Sequence, residues 1–444
     1  MKKTLIKTPS TSGTFTISDF EKTKQKVLNW AQQFNTFCFL DNHQYQIDPH
    51  SMECMLAAGV RRQLKTNVGN ALEQLQEFIT NNTLESDTEG QTKGWLFGHL
   101  GYDLKNEIEE LSSANTDCVG FPDLFFFEPE FVIRLTVNEM FIGAEDPIAI
   151  FAAVSDSSPV TDVMQPNSVN IKSKLTQQAY ISIINTLKKH ILRGDCYEIN
   201  FCQEFFGENA AINPVDIYNK LSVVSPNPFS ALYRIHDHWL LCASPERFLK
   251  KQGNEILSQP IKGTAKRVTG NTIEDELSKK ELQCSPKDRS ENVMVVDLVR
   301  NDLAKVCEEG TVKVDELYGI YSFPQVHQLI STVSGELKKG ISFTEIVRAT
   351  FPMGSMTGAP KKKVMELIEK YEHTKRGIFS GAVGYISPDG DFDFNVVIRS
   401  IMYNAASKHI SFQAGSGITF YSDPEKEWEE CLMKAEAMKK VLEE

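Results

Sequence analysis

The chain has 444 residues, 41% hydrophobic and 24% charged. That is the balance of a folded protein of one large or two to three ordinary domains at roughly 150 residues each, and it excludes global disorder, collagen and coiled-coil classes. Lys and Arg number 47 against 59 Asp and Glu, a net charge of -12, which argues against a nucleic-acid partner or an anionic membrane surface. No stretch approaches the ~20 apolar residues of a membrane helix, and Met1 to Ser10 lacks the apolar core of a signal peptide. The nine cysteines are scattered and form no C-x-x-C pair, so reduced thiols in a cytoplasmic protein are expected.

In chain order, Phe20 to Phe34 has helical spacing, and Phe37 to Leu40, Trp95 to Leu100 and Phe125 to Val137 predict strands. Asn81 to Lys93 is polar and predicts an exposed loop. Residues 155–170 are rich in Ser, Pro and Asn and mark a linker, which divides the sequence into regions 1–154, 155–172 and 173–444. Thr176 can cap a helix whose apolar positions run from Ala179 to Ile191, and Gly194 can end it. Tyr197, Ile199 and Phe201 then alternate with Glu198, Asn200 and Cys202, a strand with a polar face able to look into a cavity. Helices are expected over 287–307, 343–350, 360–372 and 424–442. Strands are expected over 229–235, 238–243, 378–386, 392–403 and 408–414, with Asp389-Gly390 as a hairpin turn. Paired strands between helices predict an α+β class rather than a doubly wound parallel sheet.

Several groups are candidates for chemistry. In the last predicted helix Asp423 can cap, Pro424 suits the first position, and Glu427, Glu430 and Lys434 share a face. Asp288 and Glu291 have the same spacing on the helix after Ser285-Pro286. Two such pairs can hold a hard divalent cation such as Mg²⁺; they equally suit solvated helix faces. Lys262 lies in Pro260-Ile261-Lys262-Gly263-Thr264, where a desolvated lysine becomes a nucleophile and an exposed one is a plain loop residue. Glu246 follows an apolar strand: burial would make it a general acid, exposure an ion-pair partner of Arg247. Arg399 can clamp a carboxylate or form a surface pair. His327 has structural burial as its default, and Lys361 to Lys363 reads as a solvated helix face. Gly354 to Lys361 and Ala414 to Ile418 are glycine-bearing stretches that allow close backbone approach, but neither is a Walker A loop or a dinucleotide fingerprint. No serine-hydrolase elbow, H-E-x-x-H or Gly-x-Cys-x-Gly is present.

Taken in order, Gly194 to Asn200 (GDCYEIN), Ser244 to Phe248, Pro260 to Thr264, Ser290 to Asp302 (SENVMVVDLVRND), Gly354 to Lys361, Ser380 to Tyr385, Ala414 to Ile418 and Glu427 to Lys434 resemble the chorismate-utilising enzymes. That family includes the anthranilate and aminodeoxychorismate synthase components I and the isochorismate and salicylate synthases. The matching blocks span residues 176–440. Gly98 to Asp103 (GHLGYD) and Phe39-Leu40-Asp41-Asn42 match more loosely. The Pro-Ile-Lys-Gly-Thr form, with Lys262, is similar to the aminodeoxychorismate synthase branch, where anthranilate synthases have alanine.

The resemblance implies a fold of two large antiparallel sheets forming a sandwich flanked by helices, built as one unit from both halves. It implies amination of chorismate to 4-amino-4-deoxychorismate, toward p-aminobenzoate and folate, with ammonia from a separate glutaminase subunit. Neutral Lys262 would attack ring carbon 2, Glu246 would be the general acid, and Glu291 and Glu430 would hold Mg²⁺, with Glu427 and Asp288 nearby. Arg399, Tyr385 and the backbone at Gly415 would hold the enolpyruvyl carboxylate; Lys434 and His327 would line the ring site. Glu198 stands where aminating relatives commonly have glutamine and water-activating ones lysine, so it is expected to accept a proton rather than activate water. Asp41, Pro228, Phe229 and Ser230 sit where anthranilate synthases bind tryptophan. The competing readings are an anthranilate synthase, against which Lys262 argues, and a non-catalytic chorismate-binding regulatory subunit, against which the intact Lys262, Glu246, Glu291 and Glu430 argue.

Overall fold

A computed structural model describes residues 11–45, 54–84, 94–158, 169–268, 270–323 and 326–443. Most of the linker candidate and residues 85–93 lie outside them. The expected α+β class and sandwich are present. Among the described residues, twelve strands form one antiparallel sheet and ten form a second. The helices lie against these sheets.

Each sheet takes strands from both sides of the linker candidate. In the larger, Thr36–Asp41 pairs with Phe229–Ile235. In the smaller, Leu96–Leu100 pairs with Ala382–Ile386. One apolar core lies between the sheets, where Phe97 and Phe125 share a face with His99, which contacts Tyr233 of the larger sheet. A second joins the larger sheet to helices such as Gln177–Arg193 and Pro424–Glu443, through Tyr180, Ile184, Phe201, Phe412 and Met438. The period of two in Glu198–Gly207 thus sorts its side chains, with Ile199 and Phe201 against helices and Cys202 between the sheets.

Helix boundaries follow their punctuation. Asp19 caps Phe20–Ala31 through the Lys22 amide. Thr176 caps Gln177–Arg193, which ends on Gly194 at φ 85°, a conformation glycine adopts without penalty. Asp423 accepts the Glu425 and Lys426 amides at the start of Pro424–Glu443. The polar stretch from Asn81 is partly helical, because Ala71–Leu84 runs through it. Thr272–Cys284, capped by Asn271, is a further helix.

Two expected single strands are each two strands in different sheets. Phe125 to Val137 divides into Leu124–Glu128 in the smaller sheet and Phe131–Leu135 in the larger, with Pro129, which cannot donate to a ladder, between them. Residues 392–403 divide into Phe392–Asn395 in the smaller and Ser400–Asn404 in the larger. His238–Ser244 and Arg247–Gln252 make the same crossing. The two crossings lie side by side: the Ala243 amide donates to the Arg399 carbonyl at 3.2 Å and the Val396 amide to the Glu246 carbonyl at 3.0 Å. Glu246 and Arg399 are therefore both corner residues of the sandwich.

Candidate active site

The site forms where that corner meets the ends of strands Glu198–Gly207 and Ile261–Lys266. Helices Pro286–Val306 and Pro424–Glu443 complete it. Lys262 is 9% exposed and Glu198 2%. Its Nζ donates to Glu198 Oε1 at 2.6 Å. Gly417, on the strand paired with Glu198–Gly207, makes room for them. A Cβ there would lie 2.5 Å from Glu198 Oε1 and 2.7 Å from Lys262 Nζ.

The pair sets the charge of Lys262. Burial alone would lower its pKa, but Glu198, Glu291 and Glu246 outweigh it and raise the pKa above the ordinary lysine value. This arrangement favours the ammonium form of Lys262 at rest, and the neutral amine belongs to the attacking state. A nucleophilic Lys262 must first give up a proton, and the carboxylate it touches is the nearest acceptor.

Glu246 is buried, and burial pushes its pKa up to about 7 against the opposing pull of Ser355, Lys262, the Ile261 amide and Arg399. It is not paired with Arg247, whose guanidinium makes two 3.0 Å bonds to Asp393. Near neutral pH Glu246 can carry the proton a general acid needs. Arg399 has its pKa lowered by burial to about 10, with Glu246 opposing, and remains charged. Its φ of 50° belongs to the left-handed region uncommon for such a side chain.

The two acidic helices meet around Lys287. Glu427 Oε1, Glu291 Oε1 and Glu430 Oε2 lie 3.2, 3.9 and 4.0 Å from the Lys287 ammonium. Burial pushes Glu291 up to about 7. Its Oε1 is buried without a hydrogen-bond partner. Ser416 donates to Glu427 Oε2 at 2.5 Å. Lys434 bridges Glu430 at 2.8 Å and the Gly415 carbonyl at 3.0 Å. Asp288 lies against Gly263, where a Cβ would be 3.1 Å from its own Cβ. No group of three His, Cys, Asp or Glu side chains is closely enough arranged to hold a metal among the described residues. Three carboxylates gathered around one ammonium nevertheless have the donor chemistry of a hard-cation site, with Lys287 as the stand-in cation.

Other expected residues fall elsewhere or are already engaged. Both ring nitrogens of His327 are taken, by Ser322 at 2.8 Å and Asp275 at 3.1 Å. Tyr385 packs in an aromatic cluster with Trp95 and Phe97, at centroid distances of 5.5 and 5.9 Å. Asp41 and Ser230 are cross-strand partners beside Phe229 and Pro228. The Asp41 carboxylate is occupied by Lys24 at 3.2 Å and the His43 amide at 2.9 Å. Lys361 is no solvated lysine: its half-buried side chain pairs with Asp302 at 2.6 Å.

Sequence reasoning missed three contributors. Lys287 was signalled only by its i,i+4 relation to Glu291. Ser355 is buried and held over Glu246 by its loop: its carbonyl accepts Asn200 Nδ2 at 3.1 Å. Arg376, 3% exposed, donates to the Met356 and Asn200 carbonyls at 2.7 and 2.9 Å and pairs with Glu372 at 2.6 Å. It staples loop Gly354–Thr357 to the Glu198 strand, a role that only the folded chain reveals.

The model of the family described as chorismate binding enzyme matches residues 35–440. The chain is 35% identical to the "Anthranilate synthase component I-like protein" of Synechocystis sp. over 79% of its length and 73% of that protein. It is 32% identical to "Aminodeoxychorismate synthase component 1" of Bacillus subtilis over 81% and 80%. The crystal structure of anthranilate synthase component I from Streptococcus pneumoniae superposes with a TM-score of 0.75 at 25% identity, covering 89% of this chain and 94% of that one. With a family match across 35–440 and a corner site of lysine, glutamates and arginine built from its blocks, this chain belongs to the chorismate binding enzymes.

Proposed function

We propose that the chain is an aminodeoxychorismate synthase component, replacing the ring hydroxyl of chorismate by an amino group and keeping the enolpyruvyl side chain. One observation carries the reading: the lysine of Pro-Ile-Lys-Gly-Thr is not a loop residue but is buried at the centre of Glu198, Glu246 and Glu291. Chorismate is a dianion with a poor leaving group. Arg399 and Lys434 supply positive charge for its carboxylates, and Glu246, with a pKa near neutrality, supplies the proton that lets the hydroxyl depart as water. Relieved of a proton by Glu198, Lys262 attacks ring carbon 2 as the carbon-4 hydroxyl leaves; ammonia then adds at carbon 4 and expels the lysine, which takes its proton back. Asp288, Glu291, Glu427 and Glu430 are the residues that would hold Mg²⁺, which when bound neutralises a substrate carboxylate.

The ammonia comes from a separate glutaminase subunit. The relatives named component 1 favour such a partner, and the sequence holds no Gly-x-Cys-x-Gly nucleophile of its own. Nine free cysteines suit a reducing compartment, and we assign the protein to the cytoplasm. No described helix is long and apolar enough to cross a membrane.

The test is turnover of chorismate by the purified chain with Mg²⁺ and ammonium, beside Lys262→Ala and Glu246→Gln. The reading predicts an aminated product by mass spectrometry, with both variants retaining chorismate binding and losing roughly 10²-fold or more in kcat. Full activity of Lys262→Ala would refute it.

A further inference from the structure

Lys287 lies in the first turn of Pro286–Val306 and reaches into the acidic group. Glu427 Oε1 accepts its ammonium at 3.2 Å, while Glu291 Oε1 and Glu430 Oε2 stand 3.9 and 4.0 Å away. Only the first is within hydrogen-bond reach, and Glu291 Oε1 is buried with no hydrogen-bond partner. Glu427 is 1% exposed, and Lys287 is the cation paired with it among the described residues. The ammonium thus stands among oxygens of both helices and satisfies them incompletely.

Its hold differs from that of Lys434. Lys434 is fixed by Glu430 at 2.8 Å and by the Gly415 carbonyl at 3.0 Å. Lys287 has carboxylates alone as partners among the described residues, and its side chain is 46% exposed, with solvent to turn into. Mg²⁺ draws its oxygen ligands in to ~2.0–2.1 Å. Oxygens drawn that close around one point leave no room for an ammonium among them, and repulsion between like charges opposes its staying alongside. Dication and lysine therefore exclude each other.

We propose that Lys287 is a displaceable counter-ion: it holds Glu427, Glu291 and Glu430 together, is evicted when Mg²⁺ binds them, and so sets the affinity of these carboxylates for metal. The proposal rests on the metal assignment above and not on the identity of the product. Eviction weakens metal binding in proportion to the fraction of time that the lysine spends away from the carboxylates. Lys287→Met keeps the length of the side chain and removes its charge.

Calorimetric titration of the full chain with magnesium chloride should show Lys287→Met binding roughly 10- to 100-fold more tightly than wild type, the span for a lysine in place about 90–99% of the time. Without metal the variant should unfold roughly 3–5 °C lower, because Glu427 is left buried without its cation. Saturating Mg²⁺ should then raise its midpoint more than that of wild type. Manganese, visible by anomalous scattering, reports where the lysine goes. In wild-type crystals soaked in manganese chloride the peak should lie among Glu291, Glu427 and Glu430, with Lys287 Nζ turned to solvent beyond about 4 Å from all three. Equal Mg²⁺ affinity in the two proteins, or a peak among the carboxylates with Lys287 still bonded to Glu427, overturns the proposal and leaves the metal assignment standing. A peak elsewhere overturns both.

Discussion

Glu246 shows how position sets chemistry at the level of a single residue. Its carboxyl is buried beside Lys262 and Arg399, and burial wins, lifting the pKa from 4.5 to about 7. As a general acid it must be protonated, so kcat at saturating ammonium should fall as pH rises through about 7. Glu246→Gln should lose that limb along with ~10²–10⁴ of the rate. Stability carries the same signature. A carboxyl raised on folding stabilises the fold below its unfolded value, near 4.5, and loses that contribution as pH rises through about 7. Denaturation of wild type and Glu246→Gln at both ends of this window should show the gap moving in favour of the variant at the higher pH. Lys262 makes the complementary case. Removing one partner of a buried ion pair costs about 3–5 kcal/mol, so Lys262→Ala should lower the unfolding midpoint, and adding Glu198→Gln should restore part of the loss. Strictly additive effects would mean that the pair is not coupled.

At the level of elements, the strand His409–Ile418 carries two glycines with different duties. A Cβ at Gly415 would lie 1.9 Å from the Phe201 carbonyl, inside the ladder with Glu198–Gly207. The atoms a Cβ at Gly417 would meet first are the side-chain ends of Glu198 and Lys262. Gly415→Ala should therefore destabilise the protein or prevent folding, whereas Gly417→Ala should fold and lose activity by displacing the pair. Thermal melts with turnover would separate them, and two equally stable, equally active variants would contradict the assignment. Both glycines were visible in the sequence as allowing close approach, but nothing in Ala414 to Ile418 says which backbone or side chain comes close. The helices were legible where caps punctuate them, as at Thr176, Gly194 and Asp423. The strands were legible as apolar runs, but not where one run serves two sheets. A period of two continues through a corner unmarked, so the break at 396–399 that places Arg399 could not be read. Lys361 was misread because a lysine run looks solvated until Asp302 arrives from another helix.

For the whole molecule, the sheets decide how the halves relate. Leu96–Leu100 lies inside the smaller sheet, between Ala382–Ile386 and Leu124–Glu128. Thr36–Asp41 lies inside the larger, beside Phe229–Ile235. A fragment of residues 173–444 would expose both edges and the core behind them. It should fail to give a cooperative unfolding transition alone and gain one when 1–172 is supplied; a cooperative melt of the isolated fragment would show that the boundary separates independent domains. The fold and the residues meeting at the corner were legible through the order of the sequence blocks. The resting charge of Lys262, the Lys287 ammonium among the metal-type carboxylates, and the Arg376 staple were not, because each depends on burial and on partners distant in the chain. In this reading the corner aminates chorismate without cleaving its side chain. The most direct measurement is pyruvate released per chorismate consumed by the purified chain with Mg²⁺ and ammonium. Amination without cleavage gives consumption with an aminated product and no pyruvate; stoichiometric pyruvate with anthranilate would refute it.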